Sequence, residues 1–150
     1  MDRYLHDFVP GQVYRTAGCK RITADEIKRF AQEFDPQPFH LDETAARNTF
    51  FDGLAASGWH TASLTMRLLV DSEFKAANGL IGAGFDELRW PHAVRPGDEL
   101  RVETEVIEVR ASKSRPDIGF VKFRMQTLNQ DNVVVQVGIC DLVVPVRTAA

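Results

Sequence analysis

Cysteine is scarce: the 150 residues hold only Cys19 and Cys140, far apart in sequence and too few for a disulfide framework or a cysteine-built metal centre. Both are expected to be buried thiols. No stretch approaches the ~20 apolar residues of a membrane-spanning helix, which argues against a membrane protein. No block of like charge occurs, and a net charge of −3 gives nucleic acid no electrostatic footprint. Internal repeats, low-complexity tracts and linker-like segments are missing too, so residues 1–150 read as one domain. Met1 to His6 has neither the apolar core of a secretory signal nor the Arg/Ser-rich character of a transit peptide, and the expected compartment is the cytoplasm.

What is present is an ordinary globular balance, 44% hydrophobic and 26% charged. Val9-Pro10-Gly11 reads as a turn, followed by a short edge strand over Val13 to Ile22. Thr23-Ala24-Asp25-Glu26 has the pattern of a capping box, with Ile27, Phe30, Ala31 and Phe34 at helical spacing behind it, so a helix is predicted from Ala24 to Phe34. A second short helix is expected within Leu41 to Phe51. Trp59, Ala62, Ser63, Met66, Leu69 and Val70 recur at three and four, with Leu64 and Leu68 on another face; a helix apolar nearly all round should be buried. After Asn78-Gly79 the period changes to two, giving strands over Leu80–Arg89, Glu99–Val109, Gly119–Leu128 and Val133–Val146. Pro96-Gly97-Asp98 and Asn129 to Asn132 are turn signals between successive strands, which are expected to pair antiparallel. The predicted class is α+β, helices on one face of a sheet.

The chemistry concentrates between Phe34 and Ser63. Phe34-Asp35-Pro36-Gln37-Pro38-Phe39-His40 places an acid and an imidazole in a segment stiffened by two prolines. Asp35 precedes Pro36 and so lies just past a helix C-terminus, where the negative end of the dipole and any burial would favour the protonated acid. Ala56-Ser57-Gly58-Trp59-His60 opens the apolar helix, whose first N–H groups lack helical acceptors and are free for a carbonyl oxygen or an anion. Singly, Asp35 reads as a helix-terminating turn, His40 as a loop histidine and Gly58 as a point of close packing. Together they supply a base, an acid and an oxyanion donor.

These residues resemble the MaoC-like hydratase family, in which Asp, then Asn-Pro, then His stand at the offsets of Asp35 and His40, and a glycine at the position of Gly58 opens the central helix. Trp90-Pro91-His92-Ala93-Val94-Arg95-Pro96-Gly97-Asp98 is similar to the family's strand-turn element ending in Arg-Pro-Gly-Asp. Gln37 stands where the family has Asn, which puts substrate fit and loop geometry at issue. The resemblance covers almost the whole chain and implies a hot-dog fold, a sheet wrapped around a long central helix. It implies hydration of enoyl thioesters, or dehydration of 3-hydroxyacyl thioesters, with Asp35, His40 and the Gly58 N–H as catalytic groups.

Gln37, Pro38, Phe39, Ser57, Trp59 and His60 are then candidate substrate contacts, and Ser63 and Thr65 candidate supports for the carboxylate. Coenzyme A or acyl carrier protein enters as part of the substrate, with no separate cofactor. His40, Asp42 and Glu43 match no standard ligand spacing, so no metal is expected. Arg89, Arg110, Lys113 and Arg115 read either as contacts for coenzyme A phosphates or as solvated strand-edge charge. Two other functions stay open: thioester hydrolysis, which usually wants a carboxylate within the central helix, and a non-catalytic acyl-thioester-binding subunit. An open sheet edge and a half-built acyl tunnel imply a homodimer or a larger even assembly.

Overall fold

Period-two alternation builds the centre of the structure. In the computed structural model, which describes residues 1–149, Leu100, Val102, Thr104 and Val106 point inward from strand β4 (Glu99–Ala111), while Arg101, Glu103 and Glu105 face the wet side. β4 pairs with β5 (Ile118–Leu128), and β5 with β6 (Val134–Pro145), as antiparallel hairpin neighbours. β3 (Ile81–Arg89) does not pair with β4, contrary to the expectation drawn from Pro96-Gly97-Asp98; it crosses to the far edge and pairs with β6. Segment 90–98 is therefore a crossover loop rather than a hairpin turn. The expected first strand is two short ones, β1 (Val13–Arg15) and β2 (Lys20–Arg21), both paired to β4.

Helix α1 (Ala24–Phe34) has the predicted bounds, and the Thr23 side chain accepts the Glu26 N–H at 3.2 Å as its cap. The second expected helix is a single turn, α3 (Glu43–Ala46), and an unexpected further turn, α2 (Pro38–Leu41), precedes it. Helix α4 (Gly58–Asp71) lies across the sheet on His60, Thr61, Thr65 and Leu69. It is not buried all round: Trp59 is 59% exposed and Val70 50% exposed, with Met66 between them. Apolar content alone does not say whether a second surface covers a face.

The core has two parts. Leu5, Phe8, Phe74, Val121, Phe123 and Leu142 fill one against the sheet; Ile22, Ile27, Leu54, Val94, Leu100 and Val135 fill the other beneath α1, and Leu68 packs against both. Cys140 is buried, and burial pushes its thiol up to about 11; Cys19 is exposed, contrary to the expectation for both. No helix among the described residues is long and apolar enough to cross a membrane.

Gly119 shows how tightly the first core closes. A Cβ there would meet the Leu5 side chain and lie 2.7 Å from the Arg110 backbone oxygen. Overpacking against backbone costs ~1–3 kcal/mol. Gly119→Ala is expected to lower the urea midpoint accordingly with an unchanged slope.

Candidate active site

Three short segments meet at the site, and each is shaped by a local rule. Asp35 caps the C-terminus of α1, its N–H bonded to Ala31 O at 2.9 Å, and leaves the helix at φ −151° as a residue before proline should. Pro38 takes the first position of α2, where its missing N–H is harmless, and that single turn brings His40 back to face Asp35. His40 Nε2 lies 3.2 Å from Asp35 Oδ2. On its other side His40 Nδ1 is 2.6 Å from the Ala55 carbonyl oxygen. A carbonyl only accepts, so Nδ1 donates to it, and the ring is thereby turned with Nε2 toward the Asp35 carboxylate.

Residues 54–57 form a buried strap. Ala55 N–H donates to Phe39 O at 3.0 Å and Ala56 N–H to Val94 O at 2.9 Å. Arg95 braces it: the guanidinium donates to the carbonyls of Phe51, Gly53 (3.0 Å) and Leu54 (3.3 Å), and Arg95 N–H donates to Asp98 Oδ2 at 2.8 Å. The Arg-Pro-Gly-Asp element thus holds the segment that presents Ala55 O to His40.

Gln37 Nε2 donates to Asp35 Oδ1 at 2.5 Å. The longer side chain that departs from the family pattern reaches back to the carboxylate. Burial, the largest single influence on Asp35, raises its pKa; the Gln37 amide, the nearby Ser57 hydroxyl and the His40 imidazole lower it and together prevail. The carboxyl therefore sits below its ordinary range, which overturns the expectation of a protonated acid. Ser57, fully buried at the N-cap of α4, makes no hydrogen bond of its own.

A cavity of about 260 Å³ opens beside the pair. His40, Gly58, Thr61, Phe51, Trp90 and His92 are among its lining residues; Asp35 stands behind the His40 ring. Gly58 occupies the first turn of α4, where N–H groups have no helical acceptor.

Several candidates lie elsewhere. His60 faces α1, stacked on Phe30 with centroids 4.6 Å apart, and burial lowers its pKa; it lines a separate groove with Glu26 and Arg29. Trp59 is exposed and meets Trp90 edge-on. Phe39 packs against His40 and Phe51, and Pro38 is exposed at the start of α2. Ser63 donates to Trp59 O, while Thr65 bonds Thr61 O and Thr127 Oγ1, so neither supports Asp35. Arg89, Arg110 and Arg115 are paired with Glu87, Asp141 and Asp117. Sequence reasoning gave Trp90, His92 and Thr61 no place at the site. Thr61, one turn after Gly58, carried a usable signal; Trp90 and His92 arrive from the far sheet edge. No group of three or more His, Cys, Asp or Glu among the described residues is placed to hold a metal.

With this geometry in place, a family model described as "MaoC like domain" matches residues 7–122. The chain belongs to the MaoC-like family. A MaoC-like dehydratase from Rhodospirillum rubrum is 54% identical, covering 98% of this chain and 99% of that one, with a TM-score of 0.93. The (R)-hydratase from A. caviae involved in PHA biosynthesis is 28% identical over 92% of this chain and 98% of that one, TM-score 0.73. Uncharacterized protein YdeM of Bacillus subtilis (strain 168) is 33% identical over 134 residues, 89% of this chain and 93% of that protein. The MaoC-like fold is the hot-dog, α+β with a long helix against an antiparallel sheet.

The lowered Asp35 pKa has a consequence for stability in this MaoC-like chain. A carboxyl depressed in the folded state stabilises above its unfolded pKa, ~3.9, and that contribution is lost as pH falls through the folded value. The stability difference between wild type and Asp35→Asn is expected to be constant above pH ~5 and to shrink below pH ~4. Thermal melts across that range measure it.

Proposed function

We propose that this MaoC-like protein adds water across the double bond of trans-2-enoyl thioesters and runs the reverse dehydration of 3-hydroxyacyl thioesters. Coenzyme A or acyl carrier protein is the handle, and no other cofactor takes part. One observation carries the reading: the Asp35-backed His40 ring and the first residue of α4 line the same cavity. Hydration forms a C–O bond at the β-carbon and a C–H bond at the α-carbon while the π bond breaks. Between them Asp35 and His40 take one proton from water as the C–O bond forms and deliver one to the α-carbon as the C–H bond forms, so the pair ends as it began. The Gly58 N–H meets the negative charge developing on the thioester oxygen. The His40 ring and the Gly58 amide approach one cavity from different segments, as an addition at the β-carbon and an enolate oxygen three bonds away require.

Thioester hydrolysis gains no support. The carboxylate in α4 is Asp71, exposed at the far end and paired with Arg67 at 2.7 Å. A non-catalytic binding subunit leaves the Asp35–His40 contact without purpose.

Loss of enoyl absorbance with crotonyl-coenzyme A, beside a thiol-release assay, tests the reading. Wild type is expected to hydrate without releasing thiol, and Asp35→Asn and His40→Ala to lose ~10²–10⁴ in kcat. Thiol release without hydration overturns it in favour of a thioesterase; neither activity overturns it in favour of a binding subunit.

We further infer a homodimer. β3 is an edge strand with Ile81 and Phe85 each 51% exposed, and Trp59, Met66 and Val70 form an uncovered stripe along α4. Unpaired edges and apolar patches of this kind are normally covered. Light scattering is expected to return twice the chain mass, with Phe85→Glu moving it toward a monomer; a monomeric wild type contradicts the inference.

A further inference from the structure

Strand β6 breaks its own alternation beside the site. Val135 and Gln136 are both buried, because Thr127 of β5 pairs with Gln136 while Leu128 pairs with Val134, leaving Val135 as an extra residue. A bulge of this kind re-aims the side chain that follows it. Here it turns a glutamine inward, to 1% exposure. Gln136 Oε1 accepts from Trp90 Nε1 at 2.9 Å, and Gln136 Nε2 has no partner. An unmet buried amide is unfavourable, and in native proteins each such group calls for an explanation.

The one partner this buried side chain does have is Trp90. A Cβ on Gly58 would lie 2.7 Å from both Trp90 Cδ2 and Cε2, so the indole lies flat on the start of α4, as close as only a residue without a side chain permits. The same ring walls the cavity that His40 enters. Trp90 is 39% exposed, and its other aromatic neighbour, Trp59, meets it edge-on from an exposed position. Packing on that side is thin, so the hydrogen bond to Gln136 is what selects one rotamer of the indole. Gln136 itself is not among the lining residues and reaches the site through that bond.

We propose that Trp90 is the wall limiting the acyl chain the cavity admits, and that Gln136 is the positioning residue that holds this wall in place. The proposal rests on the enoyl-thioester reading. It assigns acyl-chain selectivity to two groups that meet at one end of the β3–β6 pair, beside the Arg89–Val137 register, rather than to the catalytic segment.

The test compares kcat/KM for crotonyl-, hexenoyl- and octenoyl-coenzyme A in wild type, Gln136→Leu, Trp90→Phe and the double variant. Calorimetric dissociation constants for butyryl- and octanoyl-coenzyme A read the same ratio without turnover. Each single change is expected to raise the long-to-short ratio about ten-fold, since one methylene in an apolar pocket is worth that order. The double variant should show no more than Trp90→Phe alone, because Gln136 acts only through the indole N–H that this change removes. Gln136→Glu keeps an acceptor oxygen and should keep the wild-type ratio. A ratio unmoved in Gln136→Leu and Trp90→Phe, even with lowered melting temperatures, overturns the proposal, as do additive effects. Should Gln136→Leu fail to fold, Trp90→Phe removes the donor while leaving Gln136 in place. A wild type that binds the saturated series but hydrates nothing sinks the hydratase reading, while the binding ratio still decides the wall; no binding at all overturns both.

Discussion

The bond from His40 Nδ1 to the Ala55 carbonyl is the constraint on which the site depends. Because a carbonyl cannot donate, it makes Nδ1 the donor and leaves Nε2 facing the Asp35 carboxylate. An imidazole free to rotate would lose its contact with the Asp35 carboxylate. Ala55 N–H donates to Phe39 O of α2 and the next amide, Ala56 N–H, to Val94 O, so the orientation of one ring is distributed over three segments.

Charge in this protein is spent mainly on its own framework. Arg95 solvates the carbonyls of the 51–54 loop, and Asp98 ties that brace to Arg95 N–H and to Gln130. The arginines at β3 and around the β4–β5 hairpin are paired with neighbouring carboxylates. The same holds at the site, where Gln37, one methylene longer than asparagine, reaches back to Asp35. A substitution that looks in sequence like a change of substrate contact is in space a second hand on the acid, and it helps to explain why the carboxyl is lowered rather than raised.

Local signals carried their information well. The Thr23 cap and its helix, the switch to period two after Gly79, the hairpin at Asn129–Asn132 and the Asp35/His40 spacing are all decided within a few residues, by hydrogen bonds and dihedral preferences that sequence displays directly. Readings that needed a distant partner did less well. Ser63 and Thr65 were assigned to Asp35 from their helix face, yet each finds a carbonyl one turn back, and Thr65 also meets Thr127. His60, a candidate substrate contact, stands two residues along the helix from Gly58, a spacing that turns a side chain to another face, here toward Phe30.

By itself, then, the chain specified its elements, its proline-braced acid and imidazole, and the glycine that opens α4, since each follows from short-range sterics and periodicity. Only the tertiary structure decided that β3 crosses to β6, that Trp90 thereby lies on Gly58, and that a bulge turns Gln136 inward to hold it. It also decided the sign of the Asp35 shift, because a pKa sums burial against every nearby donor and charge. Strand order and side-chain encounters across the sheet depend on which surfaces close on one another, and no window of neighbouring residues contains that choice.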